Sequence, residues 1–240
     1  MESKLTIIVP VYNEEENFER LENELSSYVK IASVPTSVLF VNDGSDDNSQ
    51  SLIESICNRQ NNFDYISFKE NKGLSTALKA GFDTVETELV GYIDADLQTT
   101  PEDFNLLLEH IKDNELVTGV RINRKDSLIK NISSKIANSI RRAFTKDGMD
   151  DTGCPLKIIK TNYAKRMPMF KGLHRFLPAM ILLQNGRITQ VPVQHFPRIA
   201  GKPKFGLRNR LFGPLTDCFA YLWMKRKYIN YDIKKQSNTN

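Results

Sequence analysis

Five short apolar runs in the first half of the chain, Leu5–Val9, Val38–Val41, Tyr65–Phe68, Leu89–Ile93 and Leu116–Val120, alternate with stretches of helical periodicity at 14–30, 47–60, 74–86 and 101–112. Runs so widely spaced cannot pair through tight hairpins. Each intervening helix instead serves as a crossover, which brings successive strands side by side in parallel. Most of the runs are apolar throughout rather than alternating, as strands covered on both faces are. The pattern predicts an α/β fold with a mostly parallel central sheet flanked by helices. At 240 residues, 40% of them hydrophobic and 26% charged, the chain is long enough to bury one sizeable core.

In open sheets of this kind ligands sit beyond the carboxyl ends of the strands, so the residues that follow each run matter most. After the first come Pro10, Val11, Tyr12, Asn13 and Glu14, where backbone groups and a carboxylate can hold a base and a ribose. After the second comes Asp43, suited to accept from a base imino or amino group, followed by Gly44 and Asp46. After the third, Asn71-Lys72-Gly73 opens a helix whose amino end offers N–H donors to an anion. The fourth run ends in Asp94-Ala95-Asp96-Leu97-Gln98, two carboxylates and an amide within five residues. Hard divalent cations take such oxygen ligands and can bridge them to phosphate oxygens. Asp-rich turns are common, so any one loop says little. Four polar loops on one rim say more: a nucleotide bound through a metal-chelated diphosphate.

Several classes are excluded by what the chain lacks. It contains neither GxxxxGK[ST] nor GxGxxG, which sets aside P-loop NTPases and typical dinucleotide dehydrogenases. The first loop is not the glycine-rich, Arg-containing loop of a sugar nucleotidyltransferase. Cys57, Cys154 and Cys218 are widely spaced, and read as reduced thiols of a cytosolic protein. His110, His174 and His195 are equally scattered and read as surface or packed residues rather than zinc ligands. The amino terminus shows no secretory signal pattern, and no apolar stretch of about 20 residues suits a bilayer span.

The net charge of +4 conceals a division. Residues 1–120 hold 8 Lys and Arg against 23 Asp and Glu, a net of −15, whereas residues 121–240 hold 25 against 6, a net of +19. A basic half points to a polyanionic partner, either nucleic acid or an anionic membrane surface. Over 127–145 the apolar residues Leu128, Ile129, Ile132, Ile136, Ile140, Ala143 and Phe144 recur at helical spacing, with Lys130, Lys135, Arg141 and Arg142 elsewhere around the wheel. A second basic amphipathic segment follows the Gly- and Pro-containing stretch 200–206. There Leu211, Phe212, Leu215, Phe219, Leu222 and Trp223 precede Lys225-Arg226-Lys227. Helices of this composition either cover the sheet or lie in a membrane interface. Aliphatic residues interleave the basic ones and no nucleic-acid motif occurs, which favours the membrane over nucleic acid.

The ordered set VPVYNEEEN (9–17), VNDGSDD (41–47), NKGLSTALKAGF (71–82) and DADLQ (94–98) resembles the family 2 glycosyltransferases of the GT-A fold, especially the dolichyl- or polyprenyl-phosphate sugar synthases. The likeness continues through Gly119-Val120-Arg121, Asp151-Thr152-Gly153-Cys154, Gly172-Leu173-His174-Arg175-Phe176 and Pro192-Val193-Gln194-His195, and spans roughly 4–210. It implies a GT-A catalytic domain over 1–206, with a nucleotide-sugar half (1–120) and an acceptor half (121–206), followed by an interfacial helix and polar tail over 207–240. By position it makes Asp43 a base contact and Asp94 a diphosphate or metal-side carboxylate, which join Pro10, Tyr12, Glu14, Lys72 and Gly73 of the rim loops as the expected nucleotide-sugar contacts. Asp96 and Gln98 become ligands of Mg²⁺ or Mn²⁺. Arg121, Arg198 and Lys204 become phosphate contacts, Arg124 joins them on the acceptor side, and Ser133 or Ser134 lies near the acceptor phosphate. Pro203-Lys204-Phe205-Gly206 departs from the Ser-Lys-Tyr-Gly of many relatives, and membrane attachment would be peripheral.

Two acceptor classes follow. A lipid phosphate is already an anion and can attack an anomeric carbon without a protein base, whereas a sugar hydroxyl needs a positioned carboxylate. For a phosphate acceptor the chain must gather anions, and Arg121, Arg124, Lys125, Arg198, Lys202 and Lys204 are available. For a hydroxyl of a cell-surface glycan, Asp150 or Asp151 is the candidate base. The expectation is an inverting transferase at the cytoplasmic membrane face, using a UDP- or GDP-sugar and a polyprenyl phosphate. Asp94, Asp96, Arg121 and Asp151 form its catalytic set. Peripheral attachment is compatible with a separate membrane-anchoring partner or with self-association.

Overall fold

The computed structural model describes residues 3–122, 139, 141–197, 208–231 and 234, the side chains of 208–215 excepted. In chain order the elements are β1 (Leu5–Val11), α1 (Phe18–Ile31), β2 (Thr36–Asn42), α2 (Ser49–Arg59), β3 (Phe63–Ser67), α3 (Leu74–Thr84) and β4 (Leu89–Tyr92). There follow α4 (Phe104–Leu108), β5 (Leu116–Arg121), β6 (Lys157–Lys160), α5 (Thr161–Lys165), α6 (Leu177–Leu183), β7 (Ile188–Val193) and α7 (Arg208–Lys227). Strand order in the seven-stranded sheet is β3-β2-β1-β4-β6-β5-β7, and β6 alone runs antiparallel to its neighbours β4 and β5.

The period of two along β1 divides the core. Leu5, Ile7, Val9 and Val11 face α1, packing in one cluster with Phe18, Leu21, Leu25 and Tyr28. Ile8 points the other way, into a second cluster with Leu78 and Phe82 of α3, Met180 of α6 and Tyr221 of α7. A Cβ on Gly81 of α3 would stand 2.5 Å from Ile8 Cδ1, so the missing side chain is what lets α3 close onto the sheet. The chain winds outward from β1 to β2 and β3, then crosses back to place β4 on the other side of β1. That reversal opens a crevice at the carboxyl ends of β1 and β4.

All five expected strands form. The segment expected as one helix over 101–112 is instead a 3₁₀ turn at Pro101–Asp103, the short α4 and a second 3₁₀ turn at Ile111–Asp113. Tertiary hydrogen bonds claim its side chains: Asp103 accepts from Gln194 N–H at 3.0 Å, and Asn105 Oδ1 from Ser33 N–H at 2.9 Å. Strands β6 and β7 carry weaker sequence signals, the one only four residues long and the other interrupted by Pro192. Proline lacks a ladder donor, and β7 occupies the sheet edge where that is tolerated.

Helix α7 packs on the core through residues other than the Phe219, Leu222 and Trp223 set read from the sequence. Cys218, Tyr221 and Met224 are buried against the sheet layer, while Phe219 and Trp223 stand out at 59% and 68% exposure. No described helix is long and apolar enough to cross a membrane. Tyr221 is 1% exposed and stacks on Phe176 with ring centroids 6.1 Å apart. Tyr221→Ala is therefore expected to lower unfolding free energy by about 3–5 kcal/mol in urea titration, as loss of a buried aromatic ring does. An unchanged midpoint would mean that α7 contributes nothing to the core.

Candidate active site

The four rim loops are laced to one another before any ligand arrives. Asn13, in the left-handed region at φ +50°, receives Ser45 on its backbone side: Asn13 N–H donates to Ser45 Oγ at 3.0 Å. Asp46 N–H donates back to Asn13 Oδ1 at 3.0 Å, joining the loop after β1 to that after β2. Asp43 joins the loop after β2 to that after β3. Its carboxylate accepts Lys72 N–H at 2.7 Å, Gly73 N–H at 2.8 Å and Asn71 Nδ2 at 3.0 Å. Burial pushes the Asp43 pKa up, and the Lys72 and Gly73 amides pull it back down. At Gly44, with φ +69°, a Cβ would fall 2.4 Å from the Glu70 carbonyl carbon, so only glycine permits this approach.

Asp94 and Asp96 occupy the crevice predicted by the strand order. Tyr92 Oη donates to Asp94 Oδ1 at 2.6 Å, Leu97 N–H to the Asp94 carbonyl at 3.2 Å, and Gln98 N–H to Asp96 Oδ1 at 3.2 Å. The turn places two carboxylates and the Gln98 amide within one bend. Desolvation, then the adjacent Asp96 charge, push the Asp94 carboxyl up to about 6; Tyr92, Lys157 and Arg121 pull in the opposite direction. A carboxylate pair so incompletely neutralised suits a hard cation. Among the described residues no group of three or more His, Cys, Asp or Glu side chains could hold a metal ion. Asp96 and Gln98 are the oxygen donors of this bend that could hold such an ion.

Arg121 closes the site from β5. Its Nε and Nη2 donate to the two oxygens of Asp151 at 2.7 and 2.9 Å, a two-pronged pair whose side chains are 13% and 7% exposed. Burial opposes the Arg121 charge, but the hydrogen bonds and charge of Asp151 prevail and raise its pKa. Of the sequence-derived candidates, Asp94, Asp96, Arg121 and Asp151 are thus gathered together. Pro10 lies within the last residues of β1 rather than in the loop after it, and Tyr12, Glu14, Asp43, Lys72, Gly73 and Gln98 follow the strands at the same carboxyl edge of the sheet. Arg124, Ser133, Ser134, Arg198 and Lys204 lie outside the described residues, as does most of the 127–145 segment.

Sequence reasoning did not identify three supporting groups. Lys157, 1% exposed, lies under the site and donates through Nζ to the carbonyls of Thr152 and Cys154, with the Tyr92 ring 5.9 Å away. A lysine inside the apolar run Leu156–Ile159 was the available signal. Ser75, in the first turn of α3, bonds His174 Nδ1 at 2.9 Å and accepts Gly172 N–H at 3.1 Å. Burial and the neighbouring Arg175 push His174 down to about 3, so it is neutral at physiological pH. The third group, Tyr92, was read only as part of a strand.

An Asp whose folded pKa lies above its unfolded value, about 3.9, costs stability once it ionises. For Asp94 that cost develops as pH rises through about 4 and is complete above about 6. Asp94→Asn is therefore expected to stabilise the protein in chelator more at pH 8 than at pH 4.5, measured by denaturant titration. An equal gain at both pH values would contradict the assigned electrostatics.

Residues 6–169 match the family model described as Glycosyl transferase family 2. The chain is 31% identical over 206 residues to an undecaprenyl-phosphate 4-deoxy-4-formamido-L-arabinose transferase of Yersinia enterocolitica, covering 85% of this chain and 63% of that one. It is also 31% identical over 221 residues to the transferase of the same name in Yersinia pestis, covering 91% and 67%. The chain thus spans about two thirds of the length of these relatives. Among solved structures, the fold is similar to glucosyl-3-phosphoglycerate synthase of Mycobacterium tuberculosis in complex with Mn²⁺, UDP and glucosyl-3-phosphoglycerate. The TM-score is 0.70 at 14% identity, over 93% of this chain and 80% of that one. A mannosyltransferase of Pyrobaculum calidifontis in complex with GDP-Man and Mn²⁺ superposes with TM-score 0.65 at 20% identity, over 92% and 64%. The sheet is that of the GT-A glycosyltransferases, and the chain belongs to glycosyl transferase family 2.

Proposed function

We propose that the protein transfers a sugar from a UDP- or GDP-sugar to a polyprenyl phosphate, with inversion, at the cytoplasmic face of a membrane. The observation that carries this reading is the two-pronged Arg121–Asp151 pair. A carboxylate gripped through both oxygens is poorly placed to take a proton from a sugar hydroxyl. A lipid phosphate needs no such base. The names of the two Yersinia relatives, undecaprenyl-phosphate transferases, point the same way.

In this reading Pro10, Tyr12 and Glu14 border the base and ribose. Asp43 has three N–H groups on its carboxylate, which leaves about one lone pair for a base N–H. Lys72, Gly73 and the amino end of α3 hold the diphosphate, with Asp94 beside it. Asp96 and Gln98 would hold Mg²⁺ or Mn²⁺, which would supply positive charge against the departing diphosphate. An acceptor phosphate oxygen attacks the anomeric carbon as its bond to the nucleoside diphosphate breaks, and one displacement inverts the centre. Asp151 keeps Arg121 in position until an anion competes for the guanidinium. Arg124, Ser133, Ser134, Arg198 and Lys204 complete the acceptor side.

Membrane attachment is assigned to α7. Phe219 and Trp223, one turn apart, face outward beside exposed Lys225, Arg226 and Lys227, and Ile229 and Tyr231 beyond them are 81% and 76% exposed. Aromatic rings flanked by cations suit an anionic interface, where each basic residue contributes about 1 kcal/mol.

Two experiments test the proposal. With Mn²⁺, a panel of UDP- and GDP-sugars and undecaprenyl phosphate, the protein is expected to form one glycolipid, and Asp151→Asn to retain a measurable rate. Glycosylation of a soluble sugar acceptor in place of the lipid, abolished by Asp151→Asn, would establish the hydroxyl-acceptor reading instead. In flotation with vesicles containing phosphatidylglycerol, Phe219→Ser/Trp223→Ser is expected to leave most of the protein unbound; flotation equal to wild type would remove α7 from the interface.

A further inference from the structure

The turn that carries Asp94, Asp96 and Gln98 has an uncommon backbone. Leu97 sits in the left-handed region at φ +46°, where a residue with a Cβ is strained. Glycine would relieve that strain, but the Leu97 side chain is 1% exposed and belongs to the core cluster under α1. The bend is therefore fixed from both sides: by the leucine side chain anchored in the core, and by whatever holds the main chain around it.

Two contacts hold that main chain from outside the turn. Phe196 N–H, from the segment after β7, donates to the Gln98 carbonyl at 2.9 Å. Arg20, from the first turn of α1, donates through Nη2 to the Leu97 carbonyl at 3.3 Å. The Arg20 guanidinium is itself set by Glu24 one turn on, at 2.6 Å from Nε. Its Nη1 is buried with no hydrogen-bond partner among the described residues.

We propose that Arg20 is a positioning residue for the metal-binding turn: by capping the Leu97 carbonyl it holds the left-handed bend that presents Asp96 and Gln98 to the same ion. The inference rests on the reading of Asp96 and Gln98 as metal ligands. It adds a supporting contact from α1, an element that none of the rim motifs includes. Groups that orient ligands typically change metal affinity by about 10–100-fold when removed.

The test is the dissociation constant for Mn²⁺, read by electron paramagnetic resonance of the free ion, with no donor or acceptor present. Arg20→Met keeps the aliphatic stem and is expected to weaken Mn²⁺ binding about 10-fold or more while the melting temperature in chelator stays within a few degrees of wild type. Arg20→Lys, which retains a donor, is expected to recover part of the loss. Glu24→Gln, which loosens the guanidinium without removing it, should shift affinity the same way by less, and it carries the test if Arg20→Met does not fold. A wild-type dissociation constant in Arg20→Met, or in Glu24→Gln where that variant stands in, overturns the inference. So does a loss matched by a general fall in stability with no recovery in Arg20→Lys. Asp96→Asn separates the two levels. If it binds Mn²⁺ as wild type does, the metal reading itself fails; if it abolishes binding while Arg20→Met does not, only the role of Arg20 is lost.

Discussion

The parallel pairing of β4 against β1, with Leu5 opposite Leu89 and Ile8 opposite Tyr92, is the contact on which the rest of the molecule depends. Because both strands run the same way, the polar residues after each emerge at the same edge of the sheet. Because β2 and β3 lie on the far side of β1, the crevice there is left open rather than covered by a crossover. A shift of one residue in this register would turn Ile7 and Ile8 to the wrong layers and carry Asp94 away from the loop at Tyr12. The apolar clusters on the two faces hold the register, so the core sets the geometry of the site.

Within the crevice the dominant physical fact is an uneven charge distribution in poorly solvated surroundings. Asp94 and Asp96 share one bend, Lys157 lies buried beneath them, and Arg121 is committed to Asp151. Among the described residues the site is thus short of positive charge on the Asp94–Asp96 side, and Arg121 is already paired. Such a site gains from a divalent cation, and an incoming phosphate would compete with Asp151 for Arg121.

The strand framework and the rim loops were legible because they rest on local signals: apolar runs, turn residues and carboxylates at strand ends. Asp43 was legible as a site residue, yet its grip on Lys72, Gly73 and Asn71 was not, since those bonds join residues 28–30 positions apart. Lys157 was hidden in a four-residue antiparallel strand too short to announce itself. On α7 hydrophobicity alone groups Phe219, Leu222 and Trp223, whereas the residues that pack on the core are Cys218, Tyr221 and Met224, which the sequence pattern does not single out. Arg20 carried no motif at all; its reach to Leu97 spans 77 positions and exists only in the fold.

The proposed reaction depends on the carboxylate turn acting through a metal on a nucleoside diphosphate. Calorimetric titration of UDP and GDP into the protein, with Mn²⁺ and with chelator, measures this directly. One of the two nucleotides is predicted to bind at least about 10-fold more tightly with Mn²⁺, and that gain is predicted to vanish in Asp96→Asn, as for a ligand bridged to the chain by the ion. Equal affinity with and without Mn²⁺, or a gain that survives Asp96→Asn, would contradict it.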